Sequence, residues 1–425
     1  MEGFKRLIFT GLVIFSLGLS DSLSQATYST YSVLGIGDIT DSAVPAAMGM
    51  GGLGISNGSH WYLNNTNPAL LHYNVVTLFS AGVLADTKTI SQNGFDPNNA
   101  GNGNLTNVAM AFPIKSEKWS FSLVLMPYST VNYNFNLNNP LSNTLDTAVI
   151  SNRGSGGFDQ LNLSFGGKVY KGLSAGIKLS YMLSSIRKQS ASKILGVSIP
   201  TYVAAISSEQ SVNDFKFGFG LAYEKNIGKN KLGLGLIYDF SANLSGQSFT
   251  TLEQQNLNGS PIFTDTLSDN SSVNFALPAL FGVGVSYGRF QKWMVGFDIK
   301  TQDWGNYKTT ENSNPENLGR NVKLILGAEY IPDIASVSSY FKRITFRLGG
   351  TFEQTPYVVN KQHINDLGIN FGWSLPVSRF SSLDFGLNFG TRGTINNNLV
   401  RENYFKIYFG ATFNDNRWFI RPKYN

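Results

Sequence analysis

Residues 215–223 read FKFGFGLAY. Phe215, Phe217, Phe219, Leu221 and Tyr223 occupy every second position, with Lys216, Gly218, Gly220 and Ala222 between them. Alternate side chains of a β-strand point to opposite faces, so one face of this segment is apolar and aromatic and the other is small or charged. A helix needs apolar residues three and four apart, a spacing absent here.

The same split recurs along the chain. Leu173, Ala175, Ile177, Leu179 and Tyr181 alternate with Ser174, Gly176, Lys178 and Ser180. Leu383, Phe385, Leu387 and Phe389 alternate with Asp384, Gly386, Asn388 and Gly390. Further cases run from Phe275 to Val285 and from Phe405 to Phe413. Counting such segments predicts about fourteen strands, the usual even number of an outer-membrane barrel. They start near Val75, Leu105, Trp119, Phe158, Leu173, Val212, Lys231, Asn274, Trp293, Val322, Arg343, Ile364, Ser381 and Asn403. Short connections such as Lys115–Lys118 and Lys171-Gly172 alternate with long polar ones expected over 87–104, 128–157, 186–211, 245–273, 303–321, 354–363 and 392–402. Short inner turns and long outer loops in strict alternation belong to a membrane barrel, and a soluble sandwich has no reason to sort its loops by end. The expected fold is therefore all-β: a transmembrane antiparallel barrel, with its apolar face toward lipid and its polar face toward the lumen.

Composition agrees. The 425 residues include 44 Gly, 31 Phe and 19 Tyr, only 14% are charged, and none is Cys. No disulfide or thiolate metal site is available, and no apolar run beyond the N-terminus is long enough for a transmembrane helix. The net charge of +6 comes from scattered residues and does not form a nucleic-acid surface. Lys5 and Arg6, the apolar run Leu7–Leu19 and Ser24-Gln25-Ala26 read in order as a signal peptide, with cleavage expected after Ala26. The domain plan is then signal peptide 1–26, N-terminal hatch segment 27–74, barrel 75–413 and periplasmic tail 414–425.

Residues 27–74 are not strand-like. They carry Gly49, Gly51, Gly52 and Gly54, then Asn67-Pro68-Ala69, together with Trp61, Tyr62, Leu70 and Leu71. Small residues allow close backbone packing and the large apolar ones require burial, so this segment is expected inside the lumen. A fourteen-strand barrel is too wide for its wall side chains to fill. Nine ionisable residues fall on the polar face: Lys168, Lys178, Asp239, Asp298, Lys300, Glu329, Arg347, Asp384 and Lys406. They read as a paired, hydrated lumen wall or as part of a transport path.

The order of AMGMGGLGIS (residues 47–56), a polar gap, NNTNPALL (64–71) and a first barrel strand resembles the FadL/TodX family of outer-membrane hydrophobic-compound transporters. The opening YSTYSVLGIGD (28–38) and the C-terminal NYFKIYFGATFNDNRWFIRPKYN (403–425) look like the variant found in gliding and type IX-secreting bacteria. The resemblance implies a fourteen-strand barrel with an internal hatch that contains Asn67, Pro68 and Ala69. It also implies capture of apolar ligands at the outer loops, with passage through the hatch or sideways into the membrane. Two departures are Leu70, where the family has glycine, and an ending at Lys423-Tyr424-Asn425, which moves the assembly signal inward to Trp418 or Phe419.

Two functions follow from the resemblance. One is passive uptake of hydrophobic or amphipathic small molecules, with outer-membrane lipid as surroundings and loop aromatics such as Phe95, Tyr202, Phe249 and Phe263 at the entrance. The other is an accessory or plug subunit of a type IX translocon, partnered by a larger barrel. An enzyme is not expected: His60, His72 and His363 show no pairing with a nucleophile or acid, and no spacing fits a metal or cofactor.

Overall fold

The computed structural model describes residues 29–141, 146–196, 202–309, 318–377 and 381–415. The leader assigned to 1–26, and Trp418 and Phe419 in the tail, lie outside the described residues.

Fourteen antiparallel strands close into a barrel. They are β1 Thr77–Gln92, β2 Asn98–Lys115, β3 Trp119–Pro140, β4 Thr147–Tyr170, β5 Leu173–Leu195 and β6 Val203–Ile227. Next come β7, in the two pieces Asn230–Asp239 and Ala242–Gln255, and β8, in the pieces Pro261–Leu277 and Leu280–Arg289. The last six are β9 Trp293–Asp303, β10 Arg320–Tyr330, β11 Thr345–Val359, β12 Gln362–Pro376, β13 Ser382–Gly393 and β14 Val400–Asp415. β14 pairs with β1 from Val400↔Gln92 to Asp415↔Thr77, which closes the wall. The interruptions in β7 and β8 face each other, at Phe240-Ser241 and Pro278-Ala279, so both strands bend at one level.

The expected strand count and faces are met, but most of the long outer connections are strand. The stretches expected as loops at 128–157, 186–211 and 245–273 are largely hairpin arms, and their described turns shrink to a few residues. β4 has 24 residues and β6 has 25. About ten residues are enough to cross a bilayer. The outer half of β3–β8 therefore stands as a sheet beyond the lipid. Its sequence is rich in Asn, Ser and Gln, because both of its faces can meet water, and the alternation that marks the lower strands fades there. The lower faces keep the lipid pattern, with Ile177, Phe217, Leu326, Ile369 and Phe413 all exposed.

β3 leaves the wall. Its pairing to β2 runs from Lys115↔Trp119 to Val108↔Leu125 and goes no further. Residues 126–129 are buried without alternation, so β3 turns into the lumen above Leu125. A register shift between Pro127 and Ser129 marks the bend. Above it, among the described residues, the β2 edge from Asn98 to Asn107 pairs with β1 alone.

Candidate functional site: the occupied lumen and the gap beside it

Residues 29–74 touch lumen-facing groups on opposite walls. The two-residue strand Asp38–Ile39 pairs with Thr130 and Ser129 of the inturned β3. Thr40 donates its N–H to the Tyr128 carbonyl at 2.9 Å, and Ser29 donates to the Asn132 carbonyl at 3.3 Å. The edge that β3 withdraws from β2 is thus hydrogen-bonded by the N-terminal segment, as buried backbone groups require.

Wall glycines receive this segment. Asn67 is fully buried, accepts from the Ala69 N–H at 3.0 Å, and donates through Nδ2 to the carbonyls of Ile55 (2.7 Å) and Leu221 (3.1 Å). Beneath it lie Gly166, Gly176 and Gly220, which are cross-strand neighbours on β4, β5 and β6. A Cβ on Gly176 would sit 2.5 Å from the Pro68 carbonyl carbon, and one on Gly220 would overlap the Asn67 amide. Likewise Gly49 stacks on Gly372, where a Cβ would come within 2.7 Å of the facing Cα. Gly51 and Gly52 turn the chain with φ of +71° and +86°, a conformation that L side chains disfavour. Gly54 donates its N–H to Asp298 at 2.8 Å, and Ile55 donates to the same carboxylate at 2.9 Å. We expect Gly176→Val to cost about 1–3 kcal/mol by overpacking. The check is faster proteolysis within residues 29–74 while the barrel itself resists.

Charge fixes the segment at mid-depth. Asp41 accepts from Lys323 at 2.9 Å and lies 3.5 Å from Lys300. Burial pushes its carboxyl up, but the two ammoniums prevail and hold it below the ordinary carboxylate range. Asp38 pairs with Arg392 at 2.8 Å, and Arg392 also grips Asp366 at 3.0 Å. Ser29 donates to the fully buried Glu402 at 2.8 Å, and Lys88 lies 3.5 Å from the same carboxylate.

Of the nine ionisable residues read onto the polar face, several meet here. Lys178 pairs with Asp239 at 3.0 Å, Arg347 with Glu329 at 2.9 Å, and Lys300 with Asp41. Asp298 holds the glycine-rich turn, and Asp384 takes a short hydrogen bond from Ser374, which also binds Arg347. Lys406 lies 4.6 Å from the Tyr404 ring centroid. Lys168 stands apart as an exposed residue at the inner lip. Asp41, Lys323, Arg392 and Glu402 were not singled out from sequence. The signal was present in part, since Lys323 shares its strand parity with Glu329, and Arg392 shares its parity with Asp384.

Above the charged layer the lumen is filled by its own apolar side chains. Ile36, Tyr128, Phe158, Met182, Val212, Phe275 and Trp304 belong to one buried cluster. The apolar pocket that uptake predicts between the segment and the outer loops is occupied by this cluster. The cavities beside the segment are small and charged, about 130 Å³ around Asp38, Lys88 and Lys406 and about 90 Å³ around Lys178, Lys216 and Asp239. The loop aromatics do not converge. Phe249 lines an outer cleft of about 1000 Å³, Tyr202 and Phe263 line another of about 570 Å³, and Phe95 stands exposed at the β1–β2 tip.

The histidines do not assemble a reaction site. His60 meets the Tyr73 carbonyl at 2.5 Å, His72 lies 3.6 Å from Glu224, and His363 is near Gln354 on the neighbouring strand. Among the described residues, no group of three or more His, Cys, Asp or Glu is placed to hold a metal ion.

The fold has solved counterparts. The CymD monoaromatic hydrocarbon channel shares 16% identity at a TM-score of 0.58, over 90% of this chain and 99% of its own. A Pseudomonas aeruginosa FadL homologue shares 15% at 0.60, over 89% and 99%. The Pseudomonas putida toluene transporter TodX shares 14% at 0.59, over 89% and 99%. The FadL/TodX-like architecture expected from both ends of the sequence is thereby established. No curated protein matches the sequence. The family model described as BamG matches residues 4–425, and the chain belongs to that family.

Proposed function

We propose that the protein is an outer-membrane barrel that takes up hydrophobic or amphipathic small molecules sideways, through the gap between β2 and β3, with residues 29–74 acting as the hatch. The observation that carries this reading is the parting of β3 from β2, which leaves β2 without a strand partner from Asn98 to Asn107 on that side among the described residues. A closed wall would pair this edge, because unpaired strand edges are costly in hydrocarbon. An axial route is not favoured, since the apolar cluster and the ion pairs fill the lumen. The hydrocarbon channels named among the structural neighbours lend the fold a precedent for such cargo.

The test uses a reversible lock. Ile39 and Ser129 are direct antiparallel partners, a separation suited to a disulfide, and the chain has no other cysteine. Ile39→Cys with Ser129→Cys, reconstituted in liposomes with a fluorescent long-chain fatty acid outside, should lose uptake when oxidised and regain it on reduction. Equal, protein-independent entry in both states would overturn the uptake reading.

A second reading is favoured by the same filled lumen: a non-conducting accessory subunit that serves a larger outer-membrane assembly, a secretion translocon among them. It expects no uptake in either redox state, together with a stoichiometric partner after mild-detergent purification from native membranes.

A further inference from the structure

The outer cleft of about 1000 Å³ lies between the extended hairpins, outside the charged layer, and meets the apolar cluster at Tyr133. Its volume is at the upper end of small-ligand sites, but its wall is not the apolar one such sites usually present. Asn102, Asn132 and Asn134 line one side, and Gln189 and Gln255 line the other. Arg153, Arg187, Glu209 and Glu253 bring two charges of each sign, so the lining carries no net charge. Arg187 and Glu209 already satisfy each other at 2.9 Å, and Gln189 and Gln255 each donate one amide N–H within the wall, to Ser207 at 3.2 Å and to Glu253 at 2.7 Å. The half-exposed ring of Phe249 supplies one apolar face.

This chemistry selects its ligand. An apolar molecule would strip water from amides without replacing their hydrogen bonds, at a cost for each. A highly charged one would meet a neutral wall. A side-chain amide both donates and accepts, and so does a sugar hydroxyl. The C–H face of a pyranose ring matches an exposed aromatic face. We propose that this cleft binds an oligosaccharide.

The cleft also spans the β2–β3 gap, because Asn102 lies on β2 and Asn132 and Asn134 on β3. A glycan held there can be free or can be the head of an outer-leaflet glycolipid whose chains stay in the bilayer. The site stands whether or not uptake follows, and its test is binding to the full-length barrel in detergent.

The probes are glycolipid extracted from the producing bacterium's outer membrane and the delipidated oligosaccharide released from it by mild acid. The variants are the double substitution Asn134→Ala with Gln189→Ala, and Phe249→Ala with Phe249→Tyr as its conservative control. Each is checked for native heat-modifiable migration. Both probes should bind saturably, and the two alanine variants should weaken binding about tenfold or more, while Phe249→Tyr retains it. Equal affinity for the two probes identifies a free glycan, and much tighter binding of the intact probe identifies a glycolipid. Failure of both probes to bind, or glycolipid binding that the alanine variants leave unchanged, would overturn the proposal.

Discussion

Replacing Asp41 by Ala should release the N-terminal segment from the mid-lumen, at a cost of about 3–5 kcal/mol, the usual penalty for leaving buried charge without its partner. Two ammoniums depend on this one carboxylate. Lys323 also reaches Glu353 at 3.3 Å, but no second carboxylate lies within ion-pair distance of Lys300 among the described residues. The substitution touches no barrel pairing, so the strands should stay closed while residues 29–74 become susceptible to protease. Adding Lys300→Met should recover part of the loss by removing the orphaned charge. Protease resistance of the segment equal to wild type in D41A would show that the glycine seats alone hold it.

The pH dependence has a definite sign. The Asp41 carboxyl is held below its ordinary value, so its contribution is complete above the ordinary carboxylate range and is lost as pH falls through the depressed value. Docking should therefore survive acidification through roughly pH 4, where free carboxylates take up protons, and weaken only in stronger acid. D41A should show no such acid step from this group.

The lower barrel was legible because lipid on one side and a polar lumen on the other impose period two on every crossing strand. FKFGFGLAY carries that signal without help from its neighbours. Above the lipid the constraint disappears. Gly154 to Gly157 reads as loop because three of its four residues are glycine, yet it lies within β4, where Gly156 and Gly157 take positive φ. The role of the polar-face glycines was only half legible. Gly166, Gly176 and Gly220 show in the sequence as small residues of the polar face, yet each lies beneath Asn67-Pro68, and nothing in one strand's sequence states what packs on its inner face. The inward turn of β3 was not legible either. Pro127 marks a place where a ladder bond is missing, but a proline permits a bend without giving its direction.

The assignment of faces itself is tested by Phe219→Arg. Phe219 is the central member of the outward row Phe215 to Tyr223, and its ring packs beside Tyr238 at 5.7 Å and Phe240 at 6.0 Å. An arginine at the mid-bilayer position of a barrel costs about 2–4 kcal/mol. Part of this is the lost aromatic packing, which Phe219→Leu would measure separately. The folded fraction in bilayers, read by heat-modifiable migration across a urea series, should fall for F219R and recover in thinner bilayers, where the guanidinium reaches the interface. Gly218 makes the contrast. A Cβ there would overlap the Asp239 carboxylate that holds Lys178 and Lys216. Gly218→Ala should therefore also destabilise, but with no dependence on bilayer thickness, because its damage lies on the lumen side. A thickness-dependent loss at Gly218 and none at Phe219 would invert the wall, and with it the placement of every charged residue described in the lumen.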